Sequence, residues 1–297
     1  MTHGVRAVWL AFAVMIGVLV ALPITSAAAP PEEHAGQSIG CSRQAGQVGV
    51  VSLKILVGTQ PRTFLVQVPT AYVPSTAYPL VFVFHGRGGN SRQSYAWGLQ
   101  NAAGASDAGI FVFPDGINFQ NEGVGWDDRV DGHDLPFFDG MMSELGARYC
   151  IDTTRVFVAG FSWGGDFAVA LACHRGDRIR AVAANSTNDE YKDTTNYLTY
   201  AGLPCATHRP PAIRFEHAER GDSEYPAPDF ATTSQLFRHL NSCAATSENT
   251  RSSSSRMSCV SFNSCSSPYV ECSFDEHIGH VLPPNWPQDT WDFFSGS

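Results

Sequence analysis

The chain has 297 residues, 43% of them hydrophobic and 16% charged, with a formal net charge of −9 at pH 7. That acidic balance argues against nucleic acid or an anionic membrane surface as a partner. The length and apolar content suffice for one large domain with a full core, even after an N-terminal segment is set aside.

That segment comes first. Arg6 precedes an apolar run at residues 7–24, broken near its end by Pro23, and Ser26, Ala27, Ala28 and Ala29 follow. A basic start, an apolar stretch and small residues at a cleavage point make a secretory signal peptide, assigned to residues 1–28. Cutting after Ala29 would put Pro30 next to the scissile bond, so the cut is placed after Ala28. The competing reading is an uncleaved anchor, since the run nearly spans a bilayer. Residues 29–47, rich in Pro, Gly and Ala, form an extended lead-in tied down at Cys41, and 48–297 a single domain. All 8 cysteines fall at or beyond Cys41. An even count in an exported chain predicts disulfides rather than metal or redox chemistry. Cys243, Cys259, Cys265 and Cys272 are crowded enough to expect at least one bridge among them.

Two strand-like runs, 50–57 and 62–68, flank Gly58-Thr59-Gln60-Pro61, which predicts an antiparallel hairpin at a sheet edge. Residues 79–84 are continuously apolar, as a central strand buried on both faces requires. Runs at 109–113, 155–159, 181–184, 212–215 and 268–274 repeat that character, with helix-length segments at 135–149 and 164–174. Strands alternating with helices predict an α/β fold: a mostly parallel, doubly wound sheet with an antiparallel N-terminal edge. In such sheets ligands bind outside the C-terminal strand ends.

Chemistry-bearing motifs fall at those ends. Gly160-Phe161-Ser162-Trp163-Gly164-Gly165 lies between a strand run and a helical run, the context of a nucleophile elbow. The turn is tight enough to need small flanking residues, and it puts Ser162 at a helix N-terminus. His85-Gly86-Arg87-Gly88-Gly89-Asn90, after the 79–84 strand, matches the loop that gives one backbone N–H to an oxyanion hole. The expected donors are the N–H groups of Arg87 and Trp163, with Gly88 second in the loop. A serine hydroxyl needs a base, itself oriented by an acid, in the chain order Ser, acid, His. Glu216, Glu219 and Asp222 are the acids in order, and His277 and His280 the bases. Trp126, Trp163, Phe161, Tyr95 and Trp97 lie near these loops, and aromatic faces suit a planar acyl group or a sugar ring. Trp163, Trp126 and His85 are taken as substrate-binding candidates.

The landmarks Gly40-Cys41, Tyr78-Pro79-Leu80-Val81-Phe82, the His85 loop, Trp126-Asp127-Asp128 and Phe137-Phe138-Asp139 occur in order, before Tyr149-Cys150-Ile151-Asp152, the Ser162 elbow, Gly279-His280 and Thr290-Trp291-Asp292-Phe293-Phe294. This set resembles the secreted feruloyl esterases related to polyhydroxybutyrate depolymerases, in the esterase D-like branch of the α/β-hydrolases. The resemblance implies a Ser-Asp-His triad, no cofactor and no metal, and hydrolysis of hydroxycinnamoyl esters on plant cell-wall polysaccharide. Ser162 and His280 match its motifs directly. Where the family has His-Gly-Thr-x-Asp, this chain has His217-Ala218-Glu219-Arg220-Gly221-Asp222. Asp222 keeps the spacing to Pro226 and is chosen, with Glu219 second. Arg87 is a further departure, expected to point to solvent, and Asp139 is expected to be structural. The protein is read as a monomer acting on an ester of a polysaccharide or polyester. Close alternatives are polyhydroxyalkanoate depolymerase and acetylxylan esterase. A distant one is a non-catalytic binding protein displaying Arg220-Gly221-Asp222.

Overall fold

The computed structural model describes residue 1 and residues 36–41, 43–44, 46–118, 123–129, 131–187, 199–200, 203–205, 209–219, 222, 224, 231–250, 257–274 and 279–297. The expected signal peptide at 1–28 lies outside them apart from Met1, as do His277 and Pro226.

The chain opens with a hairpin, β1 (Gly49–Val57) and β2 (Gln60–Val68), paired antiparallel around Gly58-Thr59. The turn is shorter than the sequence pattern indicates, because Gln60 and Pro61 join β2. Pro61 is tolerated because β2 pairs with β4 only from Phe64 onward, so its missing N–H costs no bond on that side. On β1 burial alternates residue by residue, leaving Val50, Ser52, Lys54 and Leu56 exposed. Next come β3 (Tyr78–Phe84), α1 (Ser91–Ala96), β4 (Ile110–Pro114) and a small hairpin of β5 (Ile117–Asn118) with β6 (Val124–Gly125). α2 (Asp134–Arg148), β7 (Ile151–Phe161), α3 (Trp163–His174) and β8 (Ala181–Asn185) follow. After the two-residue pair β9 (Thr199–Tyr200) and β10 (Leu203–Pro204) come β11 (Ala212–Ala218) and α4 (Ala231–Leu240). The chain ends with β12 (Ser247–Thr250), β13 (Met257–Phe262), β14 (Tyr269–Phe274) and α5 (Trp286–Gly296).

Ten strands form one sheet in the order β1-β2-β4-β3-β7-β8-β11-β14-β13-β12. The six from β4 to β14 run parallel, with β2 and β1 antiparallel at one end and β13 and β12 antiparallel at the other. The expected mostly parallel sheet with an antiparallel N-terminal edge is therefore present, with a second antiparallel edge that the sequence pattern did not announce. Every residue of β3, β4 and β8 is buried. The strand period of two sends Leu80, Phe82 and Phe84 to one face with Phe137, Phe138 and Phe167 of α2 and α3. Val81 and Val83 go to the other face, against Trp286, Trp291 and Phe294 of α5.

All eight cysteines pair: Cys41 with Cys150, Cys173 with Cys205, Cys243 with Cys265, and Cys259 with Cys272. Two bridges thus lie inside the C-terminal group. The described part of the lead-in is pinned at the α2–β7 junction, where Gly40 N–H donates to Gly146 O and Ser38 Oγ to Tyr149 O. No helix among the described residues is long and apolar enough to cross a membrane.

Candidate active site

β7 ends at Phe161 and α3 begins at Trp163, which leaves Ser162 alone in the turn with φ 58° and ψ −132°. A non-glycine residue in that region carries strain on the order of 1–3 kcal/mol and persists only where its surroundings enforce it. Here Ser162 N–H donates to Asn185 O at 2.9 Å, while Ser162 O accepts from Asp166 N–H at 3.0 Å. Close packing supplies the rest. A Cβ on Gly160 would stand 2.8 Å from Gly165 N, and one on Gly164 would stand 2.6 Å from the Phe84 carbonyl carbon. The elbow can form because neither residue has one.

The loop after β3 is braced from behind. His85 is fully buried, its Nδ1–H donates to Gly86 O at 2.8 Å, and its Nε2 accepts from Gly116 N–H at 2.9 Å. Burial lowers its pKa, so the ring stays neutral in the one tautomer that satisfies both partners. Trp126, also fully buried, donates its indole N–H to His85 O at 2.8 Å and stacks on Phe167. The substrate-binding expectation for His85 and Trp126 is therefore corrected: both rings are enclosed by protein and hold the loop's backbone. Gly88 N–H donates to Val124 O at 2.7 Å, which removes it as an alternative oxyanion donor. Tyr95 meets Phe113, and Trp97 meets Phe161 and Trp286, all edge-on as core packing.

β11 runs three residues further than its apolar start, so Glu216 lies within the strand rather than after it. It is buried, ion-paired to Arg214 Nε at 2.5 Å and hydrogen-bonded by Asn185 Nδ2 at 2.9 Å. Glu219 accepts from Ser273 Oγ at 2.7 Å. Asp222 behaves differently: its side chain is 1% exposed, its Oδ2 lies 2.9 Å from His280 Nδ1, and its Oδ1 accepts from Glu224 N–H at 3.1 Å. His280 follows Gly279, whose φ is +87°, and its ring centroid is 4.6 Å from that of Phe161, the neighbour of Ser162. The structure thus joins Asp222 to His280 and sets that pair against the end of β7.

One neighbour has no role assigned from the sequence beyond its place in the loop motif. His217, near the end of β11, is buried and its pKa is lowered to about 3, chiefly by burial, with His280 also opposing its charge and Asp222 favouring it. Its sequence signal is its match to the histidine of the His-Gly-Thr-x-Asp pattern, five residues before Asp222. Asp139 binds Arg175 and Arg178, the structural role expected of it. Arg87 is exposed at the loop tip, and Arg220 and Gly221 lie outside the described residues. Among the described residues no group of three His, Cys, Asp or Glu side chains could hold a metal ion.

A parallel sheet with a strained serine between its central strand and the following helix defines the α/β-hydrolase fold. Solved structures share it. The acetyl xylan esterase from Aspergillus awamori aligns with a TM-score of 0.64 at 14% identity, over 83% of this chain and 100% of that one. A ferulic acid esterase aligns at 0.55 with 17% identity, over 84% and 95%. In sequence, feruloyl esterase C of Emericella nidulans is 30% identical over 279 residues, spanning 88% of this chain and 92% of that protein. The chain belongs to this feruloyl esterase family of carboxylesterases. No family model matches the chain.

Proposed function

We propose that the protein is a secreted serine esterase that releases ferulic or related hydroxycinnamic acids from plant cell-wall polysaccharide. The observation that carries the reading is the strained Ser162 between β7 and α3, with the Asp222–His280 pair beside it. The membership in the feruloyl esterase family supports the substrate class, and the four disulfides with the signal peptide assigned to residues 1–28 support export.

In this reading Asp222 Oδ2 accepts from His280 Nδ1–H, so Nε2 is the nitrogen left to act as base. Ser162 Oγ attacks the ester carbonyl and passes its proton to His280 Nε2. The tetrahedral oxyanion is held by the backbone N–H groups of Arg87 and Trp163, in a loop and helix start already fixed before substrate arrives. Collapse expels the sugar alcohol, which takes the proton from His280. Water, deprotonated by the same imidazole, then hydrolyses the acyl-enzyme and frees the acid and the serine.

The test is hydrolysis of p-nitrophenyl acetate by the wild type and by Ser162→Ala, followed by a panel of methyl ferulate, acetylxylan and hydroxybutyrate oligomers. Loss of several orders of magnitude in Ser162→Ala, with methyl ferulate preferred by the wild type, is the expected result. Undiminished turnover in Ser162→Ala removes the nucleophile assignment. Preference for acetylxylan or hydroxybutyrate removes the substrate class.

A further inference from the structure

Trp163 is the residue after the proposed nucleophile, and its indole is half-buried against the main core. What it rests on is a glycine. Gly125, buried in β6, leaves so little space above its Cα that a Cβ there would fall inside the indole. That Cβ would stand 2.6 Å from Cδ2 and closer still to Cε3 and Cζ3. One face of the benzo ring is therefore seated directly on the backbone of β6. The residue before it, Val124, accepts the hydrogen bond from Gly88 N–H and so fixes the oxyanion loop. Two consecutive residues of one short strand thus set the loop and the indole relative to each other.

We infer that Gly125 is a positioning residue for substrate choice: by seating the Trp163 indole flat, it makes that ring a planar wall of the acyl pocket that favours aryl acyl groups over acetyl. The inference rests on the esterase reading above and deepens it. An indole with one face covered by backbone has only its other face to offer, and a planar conjugated acyl group stacks on such a face where an acetyl group cannot. Any side chain at position 125 displaces the ring, because the obstructing atoms belong to a rigid bicycle rather than to a flexible chain end.

The experiment measures kcat/KM of the full chain on methyl ferulate and on p-nitrophenyl acetate for the wild type, Gly125→Ala, Trp163→Leu, Trp163→Phe and the Gly125→Ala/Trp163→Leu double variant. The ratio of ferulate to acetate efficiency is expected to fall at least tenfold in Gly125→Ala, mostly through KM for the ferulate. Trp163→Leu should show the same selective loss, Trp163→Phe should recover part of it, and the double variant should lie within about twofold of Trp163→Leu. A ratio within twofold of the wild type in Gly125→Ala or in Trp163→Leu overturns the inference, and so does full additivity in the double variant. If Gly125→Ala does not fold, the order Trp>Phe>Leu at position 163 decides. A wild type that cleaves acetate but no ferulate sinks the substrate class and this inference together. One that cleaves ferulate with an unaltered ratio in the variants sinks this inference alone.

Discussion

A carboxylate that orients an imidazole must keep one oxygen on one ring nitrogen and be held there itself. Asp222 meets both demands, with Oδ2 on His280 and Oδ1 on the Glu224 amide. Glu219, three residues earlier, spends Oε1 on the Ser273 hydroxyl. Asp222→Asn is accordingly expected to lower kcat by about three to four orders of magnitude. Glu219→Gln should stay within about threefold of wild type, with circular dichroism confirming that both variants fold. The opposite outcome would move the acid upstream. At this scale the sequence was legible where a position is tied to a motif, as with the strained turn at Ser162 and the contact of His280 with Asp222. It was not legible where a role depends on which way a ring points. Trp126 and His85 sit in the right loops, and nothing local tells an aromatic that lines a pocket from one that braces it. The contact of Gly125 with Trp163 joins residues 38 apart in the chain and has no pattern at all.

Among the elements, the expected strands were found with their centres in place and their ends displaced, and at β11 charge is the reason. β11 continues through Arg214, Glu216 and His217, residues that normally mark a strand end, because Arg214 and Glu216 neutralise each other inside the sheet. β7 begins at Ile151, before the apolar run, with exposed Thr153, Thr154 and Arg155. β12 is exposed along its whole length and carries no alternation to read. It is held by pairing to β13, which is stapled to β14 where Cys259 faces Cys272. Since β14 also delivers the chain to His280, this edge is more than a border. The double variant Cys259→Ser/Cys272→Ser is expected to lose about 2–4 kcal/mol of stability, read as a lowered melting temperature by calorimetry. An unchanged melting temperature would mean that β13–β14 pairing alone holds the edge.

At the scale of the whole molecule's stability, the buried neutral His217 contributes to the response to acid. His217 is neutral in the folded protein down to about pH 3, whereas in the unfolded chain it takes a proton near pH 6.5. Between those values the unfolded state binds the extra proton, so the stability it contributes is complete above pH 6.5 and is lost as pH falls toward 3. The slope is about 1.4 kcal/mol per pH unit for one such group. Denaturant titrations of wild type and His217→Gln at pH 7, 5.5 and 4 should converge as pH falls, and parallel curves would remove His217 from the account. The sheet's outer border has a practical side as well. The chain holds two lysines, Lys54 and Lys192, and Lys54 sits in the exposed row of β1 between Val50 and Leu56. A charge on an unpaired outer strand discourages a second copy from pairing there. Amine-directed coupling, as used to fix enzymes to resins, would erase that charge and leave an uncharged row of Val50, Ser52 and Leu56. Acetylated protein is expected to scatter light as it self-associates, while Lys54→Arg protein given the same treatment stays dispersed.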